Sequence, residues 1–246
     1  MKADPQAQRR LLELQAIDTS LAQLAHRLRT LPEIAQLERI QREVSALDDE
    51  RIRAQVGVDD IDRDIARFEK DIEQVRARAD RDRGRLDQGT GPARELEALQ
   101  HELGTLTRRQ TELEDAELEL MEQREQAQGT LDGIAERLAT GREQQAAIEQ
   151  RRDFAIAEAA KEQEWKRTAR GPLVADLPGD LIELYEKIRQ STGGVGAALL
   201  RAGRCEGCRL ELSGSEKSRV RSAPPDEVVR CDECRRILVR TEESGL

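Results

Sequence analysis

The chain of 246 residues has very few aromatic side chains: two Phe, one Tyr and one Trp, which together make 2% of the sequence. A globular domain of this length normally builds its core around many more large side chains. Here 37% of the residues are charged, and Ala, Leu, Glu, Gln and Arg are abundant. The scarcity of aromatics therefore argues against one thick core and favours long amphipathic helices.

Other absences exclude further classes of protein. No hydrophobic run approaches the length of a membrane span, so we expect no membrane association. The net charge of −9 argues against nucleic-acid binding by the chain as a whole. Residues 1–5 lead directly into charged sequence without the apolar segment of a signal peptide, which predicts a cytoplasmic protein. Nothing resembles a nucleophile with its base, so we expect no enzyme activity.

Apolar residues recur at alternating steps of three and four, the a/d spacing of a helix that packs along another helix. A first series ends at Thr30-Leu31-Pro32, where the proline predicts a kink or short break. A second series follows in a new register. The first comprises Leu14, Ile17, Leu21, Leu24, Leu28 and Leu31, and the second Leu37, Ile40, Val44, Leu47, Arg51, Ala54, Val58, Ile61, Ile65, Phe68, Ile72 and Val75.

Two glycines and a proline within residues 88–92 form a strong helix breaker. A third apolar series begins at Leu96 and continues, less regularly, towards Trp165. We therefore predict that residues 1–170 form an antiparallel coiled-coil hairpin, with arms 8–87 and 92–168 and a tip at 88–92. Each arm would span about 110 Å. A dimer of straight helices running through the breaker is the less favoured alternative, and we expect a monomer.

The four cysteines of the chain form two CxxC pairs in its last fifth: Cys205 with Cys208, and Cys231 with Cys234. Two such pairs supply the four thiolates of a closed tetrahedral zinc site. We expect one structural Zn²⁺, because four thiolates leave no open position for chemistry. Disulfides or a redox dithiol are the alternatives, which a reducing cytosol disfavours.

Residues 171–246 are predicted to hold a linker, a short helix over 180–190 and a C4 zinc ribbon. Gly171-Pro172 should end the second arm, and Asp180 should cap the short helix. The glycine-rich run 191–196 is interpreted as a flexible joint. Short strands are expected at Val195 to Leu200, Val228 to Arg230 and Ile237 to Val239, and zinc would substitute for a core too small to fold alone.

The tip sequence GPARELEALQHELGTLTRRQTELEDAELELMEQRE and the tail segments LIELYEKIRQSTGGVGAALLRAGRCEGCRLEL and EVVRCDECRRILVR carry a family resemblance. The chain resembles the bacterial C4-type zinc-ribbon proteins with a coiled-coil hairpin, which include chlamydial and helicobacter members linked to secretion and flagellar assembly. The resemblance covers essentially the whole chain and implies the same fold, with the four cysteines at the metal positions. It also implies adaptor-like contacts with protein partners or RNA. The high Arg, Ala and Gly content suggests an actinobacterial member.

Two functional hypotheses follow. The first is a non-enzymatic adaptor, in which a rigid coiled-coil rod presents the zinc ribbon and the hairpin tip to protein partners. The second is weak binding of RNA or DNA through the ribbon, with Lys217, Arg219 and Arg221 as candidate phosphate contacts on a loop between the cysteine pairs. Acidic residues are interleaved with the ribbon's cations, and no aromatic follows residue 186 to stack on bases. We therefore favour the adaptor.

Overall fold

The computed structural model describes all residues, 1–246, in two compact units. Unit 1 contains Met1–Ile34 and Gln150–Leu246, and unit 2 contains Ala35–Glu149. The helices and strands in chain order are α1 (Pro5–Arg29), α2 (Pro32–Asp87), α3 (Ala93–Ala175), α4 (Gly179–Ser191), β1 (Ala197–Arg201), β2 (Arg204–Cys205), α5 (Gly214–Ser222), β3 (Val229–Arg230), β4 (Ile237–Val239) and a 3₁₀ turn (Glu242–Ser244). No helix is both long and apolar enough to cross a membrane.

Within unit 2, α2 and α3 pair as the antiparallel coiled-coil hairpin that the sequence predicts. Ion pairs join the two helices at successive levels, and the residue number on α3 falls as that on α2 rises. The pairs are Asp48 with Arg142 at 3.3 Å, Asp62 with Arg124 at 3.0 Å, and Arg76 with Glu114. The break at Pro32 is also confirmed, because α1 ends at Arg29 and α2 begins at Pro32.

The predicted a/d positions of α2 are buried or half-buried throughout, including the polar Arg51. On α3, Leu113, Leu131, Ile134 and Leu138 are among the most buried residues of the facing seam. Gly141 marks a close approach of the two helices. A Cβ atom added there would lie 3.2 Å from Cγ2 of Val44, so the missing side chain lets α2 and α3 pack tightly at this level.

The seam contains one unsatisfied carboxylate close to the hairpin tip. Asp82 continues the buried series of Ile72 and Ala79, and the residue is only 8% exposed. Its Oδ2 atom is buried and has no hydrogen-bond partner. A buried polar group without a partner costs about 1–3 kcal/mol, so Asp82 weakens the hairpin near residues 88–92.

Replacing Asp82 by Leu is therefore expected to stabilise the hairpin by about 1–3 kcal/mol, because an apolar side chain at a seam position needs no partner. Urea unfolding followed by far-ultraviolet circular dichroism would measure the change. The matched control is Asp80→Leu, at an exposed position two residues away, which should change the stability by less than about 0.5 kcal/mol. Equal effects of the two changes would contradict this interpretation.

In unit 1, α3 continues beyond the predicted end of the second arm. The prediction that Gly171-Pro172 ends the arm near 168 is wrong, because α3 runs through Pro172 to Ala175. Pro172 removes one backbone N–H donor, which normally destabilises a helix interior. Leu173 and Val174, however, pack against the core formed with α1 and α4, and this packing holds the last turn in place.

The helix α4 follows a short turn and lies against α1. It begins at Gly179 and ends at Ser191, one residue outside each predicted bound. Asp180 is not the N-cap, which is Pro178; Asp180 lies in the first turn, and its Oδ1 accepts a hydrogen bond from the Leu181 N–H at 2.9 Å. A carboxylate in the first turn still stabilises the helix through the helix dipole.

The tail forms a four-stranded sheet in the order β2-β1-β4-β3. Strands β1 and β4 are parallel, with Ala198 opposite Leu238, whereas β2 and β3 are antiparallel to their neighbours. The predicted strands at 195–200, 228–230 and 237–239 are present within one or two residues, and β2 is an additional strand that the sequence pattern does not predict. The fold class is thus confirmed: a mainly helical hairpin protein with a small strand-containing zinc-ribbon region.

Candidate zinc centre and its attachment to the helices

The two CxxC motifs form two matching turns. In the first, the Cys205 N–H donates to Leu210 O at 3.0 Å and the Arg209 N–H donates to Cys205 O at 2.7 Å. In the second, the Cys231 N–H donates to Arg236 O at 3.0 Å and the Arg235 N–H donates to Cys231 O at 2.9 Å. Arg209 and Arg235 adopt left-handed φ angles of 61° and 65°. This geometry reverses the chain directly after each second cysteine.

The two turns bring all four thiols together. The sulfur atoms lie within 4.8 Å of one another, with Cys205 Sγ 3.8 Å from Cys234 Sγ and Cys208 Sγ 3.9 Å from Cys231 Sγ. A tetrahedral zinc site with Zn–S bonds of about 2.3 Å needs sulfurs about 3.8 Å apart. The donor set therefore fits one Zn²⁺. Both of these short sulfur contacts join one motif to the other, as a metal ion shared by the two motifs requires.

Three of the four cysteine thiols have shifted pKa values, and these shifts affect how readily the site binds zinc. Burial raises the pKa of the Cys231 thiol to about 11, and it raises the pKa of the Cys205 thiol further. Burial acts in the same sense on Cys234, but hydrogen bonds from the Arg236 backbone and from the neighbouring thiols lower its pKa overall. Zinc binds thiolates, so the ion must displace protons from buried thiols, and low pH favours its release.

A small apolar core surrounds the cysteines. Cys205 and Cys231 are themselves buried core residues, packed with Leu200, Val220 and Leu238 from three different elements. Cys208 and Cys234 are half-buried and pack against the same core. A bound zinc would thus link both turns to the sheet and to α5, as structural zinc does in small domains.

The glycine-rich run 191–196, which precedes the ribbon, makes hydrogen bonds and close packing contacts with α1 and α4. The Gln15 side chain on α1 donates to Gly194 O at 3.0 Å and accepts from the Gly196 and Ala197 N–H groups at 2.7 and 3.3 Å. Gly196 also packs so closely on α4 that an added Cβ would lie 2.6 Å from the Tyr185 carbonyl oxygen. The sequence predicts a flexible joint over residues 191–196, whereas the structure shows side chains distant in sequence in contact with this run.

Arg236 ties the same run to the first cysteine turn. Its guanidinium donates to three backbone carbonyls: Thr192 at 2.8 Å, Gly207 at 2.9 Å and Val195 at 3.0 Å. Gly207 has room for no side chain, since a Cβ would lie 2.7 Å from Cδ of Arg236. One arginine thus connects the end of α4, the entry to β1 and the metal-binding turn.

The helices that carry the ribbon are joined by a buried charged network. Asp18 on α1 has a side chain that is 3% exposed, and it accepts hydrogen bonds from Arg170 Nε on α3 and Tyr185 Oη on α4, each at 2.8 Å. Arg170 also pairs with Glu186, and Arg189 approaches Asp18 at 3.7 Å. Burial and the Asp18 hydrogen bond raise the pKa of Tyr185, and pairing with Asp18 raises the pKa of Arg170.

The candidate phosphate contacts lie on the helix α5 and not on a loop, which corrects that part of the prediction. Ser213 caps the helix, accepting from Glu216 N–H at 3.2 Å. Lys217 pairs with Glu211 at 2.6 Å, and Arg219 pairs with Asp232 at 2.8 Å. Arg221 is exposed and makes no ion pair.

Comparison with known proteins places this arrangement in a family. The family model described as the CT398-like coiled coil hairpin domain matches residues 14–193, and that of the C4-type zinc ribbon domain matches 204–238. A protein of Mycobacterium tuberculosis is 41% identical over 242 residues, covering 98% of each chain. A Mycobacterium smegmatis structure is 37% identical with a TM-score of 0.86, covering 98% of this chain and 100% of that one.

A more distant structure shares the fold. CT398 from Chlamydia trachomatis is 20% identical, with a TM-score of 0.65 over 95% of this chain and 97% of its own. The family resemblance drawn from the tip and tail sequences is thus confirmed, and the mycobacterial relatives agree with an actinobacterial origin. With four cysteines at zinc-binding distances and both family models matched, the chain belongs to the CT398-like coiled-coil hairpin family with a C4-type zinc ribbon.

Proposed function

We propose that this protein is a non-enzymatic adaptor whose zinc ribbon is held in a fixed orientation on its helices and contacts a protein partner. The observation that carries the proposal is the attachment of the ribbon. Ala197, Ile237 and Val239 of the sheet share one core with Leu11 and Leu14 of α1 and with Leu181 and Tyr185 of α4. A partner bound to the ribbon would therefore be held rigidly relative to α1 and α4.

Two surfaces are proposed to make the contacts. The first surface is the metal-binding end of the ribbon. Glu206 and Glu233 lie in its two cysteine turns, and both side chains are exposed and free to contact a partner. The hairpin tip at 88–92 is exposed as well. A cytoplasmic location is proposed with this function, because reduced thiols are needed to hold zinc.

Cross-linking of the zinc-loaded full-length chain in cells, followed by mass spectrometry, tests the adaptor. Partners identified in this way would be purified and their affinities measured with two variants. Glu206→Arg with Glu233→Arg changes the ribbon end, and a replacement of residues 88–92 by a short Asn-Gly turn changes the tip. We expect each variant to weaken a different partner at least about tenfold. A full set of partners that is insensitive to both variants would contradict the proposal.

Weak nucleic-acid binding through α5 is the alternative, supported by the exposed and unpaired Arg221. Two of the three candidate phosphate contacts, Lys217 and Arg219, are already paired with carboxylates of the ribbon. The last aromatic residue, Tyr185, is fully buried and offers no surface for base stacking. These features favour the protein partner over RNA or DNA.

We expect the native chain to bind RNA or DNA with a dissociation constant of about 10⁻⁵ M or weaker at physiological salt. Changing Lys217, Arg219 and Arg221 together to Glu should remove this residual binding and leave protein partners of the tip bound. Fluorescence anisotropy with labelled oligonucleotides at several salt concentrations would measure it. Submicromolar, sequence-selective binding that the triple change abolishes would make nucleic-acid binding the better account.

A further inference from the structure

Two of the four aromatic side chains in this protein lie on the surface of unit 1. Phe154 is 70% exposed and Trp165 is 68% exposed, although the apolar pattern predicts a seam that continues towards Trp165. They are 11 residues apart on α3, which is three helical turns plus about 20°. Both rings therefore lie on one face of the helix, about 16 Å apart along its axis.

Two charged residues complete the stripe between the rings. Glu158 and Lys161 are exposed, lie on the same face by helical spacing, and pair with each other at 2.7 Å. These four residues line a groove of about 470 Å³ beside α1, together with the small side chains of Ala155 and Ala159 and with Arg27. The stripe Phe154-Glu158-Lys161-Trp165 is thus an exposed apolar and charged surface of unit 1, although Lys166 Nζ lies 5.4 Å from the centroid of the Trp165 ring.

The stripe is self-complementary when two copies of the helix run in opposite directions. It has an aromatic residue at each end and one negative and one positive residue between them. If two α3 helices pair antiparallel about a two-fold axis between residues 159 and 160, Phe154 lies opposite Trp165 of the second copy. Glu158 then lies opposite Lys161 of the second copy, and the symmetry repeats both contacts. A partner of unrelated sequence would not require this arrangement. We propose that the stripe is a self-association surface that joins two copies of the chain as an antiparallel homodimer.

The chemistry of the stripe sets the expected strength of this dimer. Two aromatic pairs at the outside exclude water from four charges that alternate in sign at the centre, and both contributions favour association. The stripe covers only about three turns of helix, well below the area of a standard stable interface. We therefore expect weak self-association, with a dissociation constant on the order of 10–100 µM.

Charge reversal provides a sharp test, to be made on the zinc-loaded full-length chain. Glu158→Lys places Lys opposite Lys at both central contacts, and Lys161→Glu places Glu opposite Glu. Each variant alone should dimerise at least about tenfold more weakly than the native chain. In an equal mixture, a Glu158→Lys chain that meets a Lys161→Glu chain has opposite charges at both contacts. Dimerisation of the mixture should therefore recover to within about threefold of the native value.

Sedimentation equilibrium between about 1 µM and 1 mM would measure these constants. Trp165 is the sole tryptophan, so its emission should shift to shorter wavelength over the same concentrations as the ring leaves water. The control Glu164→Lys, which is exposed on α3 but off the stripe, should dimerise as the native chain does. A native chain that stays monomeric at about 1 mM, or a mixture that stays as monomeric as its two components, would overturn the proposal.

Discussion

Replacing Cys231 by Ser is expected to release the zinc, from one ion per chain to none, and to unfold the ribbon while the long helices remain folded. Structural zinc contributes about 10–16 kcal/mol of binding free energy in small domains. Cys231 is also a buried residue of the small apolar core around the site, where it is 2% exposed. Three thiols leave the ion incompletely held, and the few apolar contacts around them are too small a core to fold alone.

The circular dichroism of the Cys231→Ser variant should separate the ribbon from the hairpin. Within the ribbon, α5 has only 9 residues, whereas α2 and α3 have 56 and 83 residues and are joined to each other by their own ion pairs and seam. The far-ultraviolet signal should therefore fall only slightly. The near-ultraviolet signal of Tyr185, the sole tyrosine, should change because its core includes strand residues of the ribbon.

Elemental analysis is the direct measurement, with Glu206→Ser as the matched control. Glu206 lies inside the first cysteine turn but is exposed and supplies no sulfur, so this variant should keep one zinc per chain. Zinc retained in full by Cys231→Ser, or iron in place of zinc in the native protein, would contradict the assignment of the site.

Replacing Asp18 by Ala should destabilise unit 1 by about 3–5 kcal/mol, the usual cost of removing one partner from a buried ion pair. The change leaves the Arg170 guanidinium and the Tyr185 hydroxyl without their shared acceptor. Both groups are then buried or half-buried without a full set of hydrogen bonds. Urea unfolding followed by the near-ultraviolet circular dichroism of Tyr185, which is fully buried in unit 1, would report the loss.

A second ion pair, between α1 and the residue that directly follows α3, provides the control. Arg10 pairs with Asp176 at 3.0 Å, but these side chains are 40% and 56% exposed. Exposed pairs contribute about 0–1 kcal/mol, so Asp176→Ala should change the stability of unit 1 very little. If the two variants lost equal stability, burial of the Asp18 network would not explain its contribution.

Local sequence patterns were sufficient to predict the hairpin and the metal ligands. The three-four spacing gives the buried face of α2 because each side chain of that face meets the facing helix. Pro32 and the Gly-Thr-Gly-Pro tip break helices because proline and glycine act on the local backbone, so their effect can be predicted from the sequence alone. The spacing of Cys205 and Cys208, repeated at Cys231 and Cys234, likewise fixes a local turn that presents two sulfurs.

The features that the sequence does not predict depend on contacts between distant parts of the chain. Gln15 bonds to Gly196 and Asp18 to Arg170, 181 and 152 positions away, and one sequence gives no sign of such partners. The same holds for the packing that carries α3 through Pro172. The helix α5 did have a local signal: Ser213 and Glu216 form the Ser-x-x-Glu pattern of a helix start, which the surrounding charged residues obscured.

Hydrogen exchange of the Gly196 and Ala197 amides tests the central claim, that the ribbon is fixed to α1, most directly. Both N–H groups donate to the Gln15 side chain, so in the native zinc-loaded chain they should exchange at least about 100-fold more slowly than unstructured peptide. Gln15→Ala should remove most of this protection while the zinc stays bound. Exchange of both amides at the unstructured rate in the native chain would mean that the joint is flexible, and would contradict the account.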